Sequence, residues 1–199
     1  MISVNDKALL KADETVLRGQ KARGRTGPVL FILMGLPGVG KSRVARALHD
    51  TYRFTVLSGE NITHALFRTK NCRGSQYAFA YKVLRKLAAD YLRRRFSVVV
   101  DGTNLRLQYR RMLYRLATQA RARPYLLEIR AADRVALARL KSQVPSYADS
   151  HAIRSSCSRR TFDVFKQQLQ RPLPSEPTLR LVSNNKVKDQ LREICLKVL

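Results

Sequence analysis

The sequence predicts an α/β fold, a three-layer sandwich whose central five-stranded parallel sheet carries helices on both faces. Three observations lead there. Five short apolar runs, Val29–Met34, Phe54–Leu57, Ser97–Val100, Tyr125–Ile129 and Thr178–Val182, alternate with stretches whose apolar residues recur every three or four positions. That alternation is the pattern of strands joined by helical crossovers. The segment Gly35-Leu36-Pro37-Gly38-Val39-Gly40-Lys41-Ser42 fits G-x-x-x-x-G-K-[ST] at every constrained position and lies between the first run and the first helical stretch, where a phosphate loop belongs. Finally, Val98-Val99-Val100 ends in Asp101, a carboxylate at the strand end where open α/β sheets bind ligands.

The elements follow in order. Met1 to Gly27 reads as an N-terminal extension to a domain over 28–199: a weakly amphipathic stretch around Ala8 to Gln20 suggests an appended helix, and Arg23 to Pro28 a Gly/Arg/Pro hinge. Val29–Met34 is wholly apolar, as a strand covered on both faces requires. A helix is expected over Lys41 to Asp50. After the strand Phe54–Leu57, Ser58 is suited to cap a short helix with Glu60 in its first turn, where the dipole favours an acid. The polar loop Thr69 to Gly74 leads to a helix over Ser75 to Arg94. The turn Asp101-Gly102-Thr103-Asn104 leads to another over Arg106 to Ala122. Helices at Asp133 to Leu140 and Arg159 to Leu169, the proline-bearing connector Arg171 to Pro177 and a helix at Lys186 to Val198 complete the chain. Right-handed crossovers between these strands place helices on both faces.

Composition bounds the function. The 199 residues suit one α/β domain, and no apolar run approaches the roughly 20 residues of a membrane span. Met1 to Gly27 lacks the apolar core of a secretory signal, and Asp6, Asp13 and Glu14 place acid where a mitochondrial presequence has little. Cys72, Cys157 and Cys195 are scattered without metal-ligand spacing, which suggests reduced thiols in a cytoplasmic protein. His49, His64 and His151 form no ligand cluster. Lys+Arg number 39 against 14 Asp+Glu, a formal net charge of +25. One bound triphosphate does not account for that excess; RNA or DNA is one reading and an arginine-rich solvated surface the other.

The motifs point to phosphate chemistry. Glycines let successive N–H groups and a helix N-terminus face phosphate oxygens. Gly35, Pro37, Gly38, Val39, Gly40, Lys41, Ser42 and Arg43 are therefore the expected ATP-binding residues. Lys41 reaches the terminal phosphates, and Ser42 offers its hydroxyl to Mg²⁺. Asp101 is the second candidate for the metal, its alternative being a turn or cap residue. Glu60 is a candidate base for an attacking hydroxyl, its alternative being merely the early acid of a helix. Gln143 to Arg160 carries Arg154, Arg159 and Arg160, suited to neutralise a transferring phosphate as a lid or to form a basic surface loop. Arg106, Arg110, Arg111 and Arg115, interleaved with Tyr109 and Tyr114, suit an anionic acceptor or ordinary core contacts. Asn185-Lys186-Val187-Lys188 has lysine where the guanine-reading Asn-Lys-x-Asp signature has aspartate, which argues against a GTPase switch.

On these residues the chain resembles the P-loop kinase group that includes the kinase half of polynucleotide kinases, zeta-toxin-like kinases and small AAA-type ATP-binding proteins. The resemblance runs from about Val29 to about Pro174. It rests on Phe31 to Ser42, Leu57-Ser58-Gly59-Glu60, the helix Ser75 to Tyr91, Val98-Val99-Val100-Asp101-Gly102-Thr103-Asn104 and Leu105-Arg106. It implies transfer of the γ-phosphate of ATP to a hydroxyl acceptor, with Lys41 and Ser42 on ATP and Mg²⁺, Asp101 near the metal and a small lid at about 143–160. A nucleic-acid 5′-hydroxyl suits the charge; a sugar nucleotide or other small hydroxyl metabolite suits the short chain. The contrasting reading is an ATP-gated nucleic-acid-binding or switch protein without an acceptor. Members of the group place Asp then Arg where this chain has Glu60 and Thr63. Threonine does not supply an arginine's bidentate grip on phosphate, which leaves acceptor recognition to another residue such as Arg68. A full AAA motor, with its additional helical domain, is not expected in a chain of this length.

Overall fold

The five apolar runs assemble into one all-parallel sheet in the computed structural model, which describes residues 4–21, 27–68, 74–142 and 159–199. Its strands are β1 (Val29–Met34), β2 (Thr55–Ser58), β3 (Val98–Asp101), β4 (Arg123–Arg130) and β5 (Thr178–Val182). They lie in the order β2-β3-β1-β4-β5. β1 is central and every residue in it is buried, which is why its sequence lacks polar alternation. The chain leaves β1 for the far edge, returns through β3 and crosses to β4 on the other side. The switch in direction opens a crevice at the carboxyl ends of β1 and β3. Ile32 is level with Val100, and Ser58 with Asp101.

The helices are α1 (Asp6–Asp13), α2 (Lys41–Tyr52), α3 (Gly59–Phe67), α4 (Gly74–Arg93), α5 (Leu107–Gln119), α6 (Asp133–Ser142), α7 (Arg159–Gln167) and α8 (Val187–Val198). The core is continuous: Leu48 of α2, Leu84 of α4, Leu113 of α5 and Leu191 of α8 are all buried in it with β1. Among the described residues, no helix is long and apolar enough to cross a membrane. Cys195 is a free, buried thiol whose pKa burial pushes up to about 12. Cys72, Cys157 and His151 lie outside the described residues, as do 22–26, 69–73 and 143–158.

Local differences from the expected boundaries have physical causes. Only the first half of Ala8 to Gln20 is helical: Asn5 caps α1 by accepting from the Ala8 N–H at 3.0 Å, and the helix ends at Asp13. Beyond it the chain runs antiparallel to β2, with Leu17 N–H donating to Val56 O at 3.3 Å and Val56 N–H to Leu17 O at 2.9 Å. This covers an edge that would otherwise present unpaired backbone groups. Gly19 permits the approach, since a Cβ there would lie 1.8 Å from Arg53 O. Asp13 ties the segment down, accepting from Tyr91 Oη and Arg18 Nη2, each at 2.6 Å. β4 begins at Arg123, two residues before the expected Tyr125, because Arg123 and Pro124 pair with Val29 and Leu30.

The connector before β5 is fastened by a buried ion pair. Arg110, fully buried on α5, donates from Nε and Nη2 to Glu176 at 2.7 and 2.9 Å, and its Nη1 donates to Leu105 O at 2.8 Å. Tyr114 Oη and Leu173 N–H, each at 2.8 Å, complete the carboxylate. Arg110 and Tyr114 therefore serve the fold, which is the core-contact reading of this helix and not the acceptor one. Burial alone would raise the Glu176 pKa, but Arg110, the Leu173 N–H and Tyr114 together hold it below its ordinary value. A depressed acid stabilises the fold above its unfolded pKa and loses that contribution as pH falls through the folded value. Glu176→Gln, which strands a buried guanidinium, is expected to cost about 3–5 kcal/mol in urea denaturation. A loss under about 1 kcal/mol, the range of an exposed pair, would contradict the assignment.

Candidate functional site

The loop after β1 curls under tight steric limits. Gly35 has φ 155° and donates its N–H to Thr103 O at 3.2 Å; a Cβ there would lie 2.5 Å from Ile129 O. Gly38 and Gly40 have φ 77° and 100°, and added Cβ atoms would lie 2.4 Å from Ala136 O and 2.7 Å from Ser183 Oγ. β4, α6 and the residue after β5 thus press on the outside of the curl, leaving its inner side to a ligand. Gly40 caps α2 with no side-chain bond, so the first N–H groups of α2 are offered to an anion. Pro37 and Val39 are buried in the loop, while Arg43 is exposed in the first turn of α2. Lys41 Nζ donates to Leu36 O at 2.9 Å, folded over the loop.

Arg139 on α6 braces the curl. Its Nη1 donates to Val39 O at 3.3 Å and to Ser183 Oγ at 3.0 Å, and its Nη2 to Ser183 O at 3.3 Å. No motif marks Arg139 or Ser183, because their part arises from packing across the sheet.

Asp101 ends β3 almost fully buried. Burial pushes its pKa up, opposed by the Lys41 charge and a hydrogen bond with the Ser42 side chain. Asp101, Lys41 and Ser42 are thus brought together as expected. A buried carboxylate beside a hydroxyl supplies the hard oxygen donors that Mg²⁺ takes, and a glycine curl that a Cβ would obstruct suits a phosphate chain, so both groups fit the residues present. Asn104 fixes the turn beyond Asp101: at φ 43° it donates Nδ2 to Leu33 O at 2.7 Å and accepts from Tyr81 Oη at 3.0 Å. Asparagine tolerates that left-handed backbone better than most residues.

The end of β2 lies alongside. Ser58 is paired with Asp101, and a Cβ on Gly59 would lie 3.8 Å from Asp101 O. Ser58 caps α3, accepting from the Asn61 N–H at 3.3 Å. Glu60 is exposed in the first turn of α3, just past the strand that flanks Asp101. Thr63 is buried and donates its hydroxyl to Gly59 O at 2.6 Å. Arg68 closes α3, eight residues and about 12 Å of helix beyond Glu60. Arg159 opens α7, exposed and 3.7 Å from Asp163. Arg154 lies outside the described residues. On the outer face of α5, Arg106, Arg111, Arg115, Gln108 and Gln170 line an open cavity of about 600 Å³. Tyr109 instead packs on Tyr81, ring centroids 5.3 Å apart. Among the described residues, no group of three or more His, Cys, Asp or Glu could hold a metal on its own.

Comparisons with known proteins agree with this geometry. A family model described as an AAA domain matches residues 30–172. A 2′,3′-cyclic-nucleotide 3′-phosphodiesterase from Pongo abelii is 35% identical over 138 residues, which are 67% of this chain and 30% of that protein. The chain thus spans under a third of the length of the curated relatives it matches. A kinase candidate from Chloroflexus aurantiacus superposes with a TM-score of 0.67 at 20% identity, covering 86% of this chain and 98% of that one. Kti12 from Chaetomium thermophilum, crystallised with ADP-AlF3, gives 0.64 at 18%, covering 85% and 98%. The fold is that of the P-loop kinases.

Two outcomes follow. Gly38→Ala, driving a Cβ against Ala136 O, is expected to weaken ATP binding at least about 100-fold by calorimetry, or about 2.8 kcal/mol; unchanged affinity would mean that the curl holds no phosphate. Asp101→Asn is expected to raise the melting temperature of the ligand-free protein. With its folded pKa raised, the ionised acid costs stability as pH climbs above its ordinary 3.8, so the gain grows from acid toward neutral pH. A variant that melts lower at neutral pH would show the carboxylate to be a structural partner.

Proposed function

The chain belongs to the AAA domain family, and on that premise we propose that it is a cytoplasmic kinase that transfers the γ-phosphate of ATP to a hydroxyl, the acceptor being a nucleic-acid 5′-hydroxyl. The observation that carries the reading is the pairing of Ser58 with Asp101, which sets the carboxylate-bearing end of β3 beside the end of β2, where α3 begins with Glu60 in its first turn. The name of the curated relatives, a phosphodiesterase of cyclic nucleotides, supports a nucleotide-type acceptor over a small hydroxyl metabolite that is not a nucleotide. The net charge of +25 and the arginines of α5 support a polymeric one.

The residues divide the work as follows. The N–H groups of Gly38, Gly40, Lys41 and Ser42 hold the phosphate chain, with Gly35, Pro37 and Val39 shaping the curl and Arg43 at its exposed rim. Lys41 leaves Leu36 O for the terminal phosphates. Ser42 and Asp101 hold magnesium, which when bound offsets charge on the phosphate oxygens. Glu60 accepts the proton of the attacking hydroxyl as the bond from that oxygen to phosphorus forms and ADP leaves. Arg154 and Arg159 neutralise the phosphoryl oxygens and exclude water. Arg106, Arg111 and Arg115 hold backbone phosphates of the acceptor.

A second reading draws on Thr63. Its hydroxyl is spent on Gly59 O where related kinases carry arginine, which favours a protein whose ATP gates nucleic-acid binding without transfer. Incubation with γ-labelled ATP, Mg²⁺ and 5′-hydroxyl RNA or DNA decides between them. Label on the oligonucleotide, lost about 100-fold or more in Glu60→Gln with ATP affinity unchanged, is the expected result. No labelled acceptor, together with RNA affinity that changes when ATP is added, would establish the second reading.

A further inference from the structure

The opposite edge of the sheet holds another cationic recess. It lies beneath the amino-terminal ends of four strands: Gly27 comes just before β1, Phe54 before β2 and Ser97 before β3, and Arg123 begins β4. Its volume is about 280 Å³, room for several waters at about 30 Å³ each. Three cations from separate elements line it: Lys21 from the segment beside β2, Arg53 from the end of α2, and Arg123. Among the described residues, no carboxylate side chain is in the lining, which also includes the last residue of the chain, Leu199. Among the described residues, none of the three donates a side-chain hydrogen bond or forms an ion pair, and Arg123 Nε is buried without an acceptor.

This arrangement is costly without a ligand. A buried, unsatisfied donor costs about 1–3 kcal/mol, and Lys21 and Arg53, both exposed, add like charge beside it. An oxyanion answers both demands. Ser97 Oγ accepts from the Val29 N–H at 3.1 Å and keeps its own proton to donate. At the end of α2 the Arg53 N–H donates to His49 O at 2.9 Å and the Phe54 N–H to Leu48 O at 3.4 Å. Arg53 can sit there because it takes the left-handed conformation, φ 57°, that ends the helix.

We propose that this recess is a second phosphate-binding site, separate from the glycine curl, in which Lys21, Arg53 and Arg123 hold a phosphate group. Two sources share that chemistry, a nucleic-acid backbone and a free phosphorylated metabolite. The site does not depend on kinase activity.

Calorimetric titration of inorganic phosphate at fixed ionic strength tests it, using the full chain with Lys41→Ala to weaken the curl. Phosphate binding that persists in Lys41→Ala is expected. Adding Arg123→Gln should weaken it at least about tenfold, and so should Lys21→Gln with Arg53→Gln, exposed positions that do not endanger the fold. Lys188→Gln, on the other edge of the sheet, controls for net charge and should change little. Competition by a 12-nucleotide RNA would identify the backbone as the source; phosphate binding unaffected by that RNA would identify a small phosphorylated ligand. Absence of phosphate binding in Lys41→Ala would overturn the proposal, as would equal affinity in the Lys21/Arg53 and Lys188 variants.

Discussion

The site depends on a steric condition: at three positions of the curl between β1 and α2 there is no room for a Cβ. Gly35, Gly38 and Gly40 are pressed from outside by Ile129 O, Ala136 O and Ser183 Oγ, which belong to β4, α6 and the residue after β5. The loop therefore holds its shape only if the sheet closes on its β4–β5 side, and Arg139 fastens the two together through Val39 and Ser183. Backbone N–H groups bind phosphate strongly only when preorganised, and here the whole second half of the sheet does the preorganising.

The same logic extends to the metal side. Asp101 ends a strand of three valines, so burial that suits the fold also raises the carboxyl's pKa. An acid held in that way loses stability when ionised and recovers it when a cation arrives, which links binding to folding at this position. Asn104 secures the turn from below by reaching Leu33 O on the central strand. The turn's shape thus follows from the burial of β1.

Much of this was legible in the chain. The glycine loop, the all-apolar β1 and the valine run ending in Asp101 carry their own local signatures, since each combines a residue pattern with a backbone requirement. What lay hidden depends on distant pairing. Arg110 shares the α5 segment with Arg106, Arg111 and Arg115, yet it alone turns inward, because Glu176 and the carbonyls of Asn104 and Leu105 wait there. Arg139 and Ser183 meet across 44 residues of chain. The stretch after Asp13 reads as a continuing helix, but Gly19 and the open edge of β2 draw it into an extended strand-like path instead. Charge behaves likewise: composition shows the excess of cations, and only the fold separates those on α5 from those gathered under the other edge of the sheet.

The most direct test of the central claim is a crystal structure of the full chain with Mg²⁺ and a non-hydrolysable ATP analogue. The expected map has the terminal phosphates inside the curl, Lys41 moved from Leu36 O onto them, and the metal within reach of Ser42 and Asp101. An analogue bound elsewhere, or a curl filled by the chain's own side groups with Asp101 distant from any metal, would contradict the account.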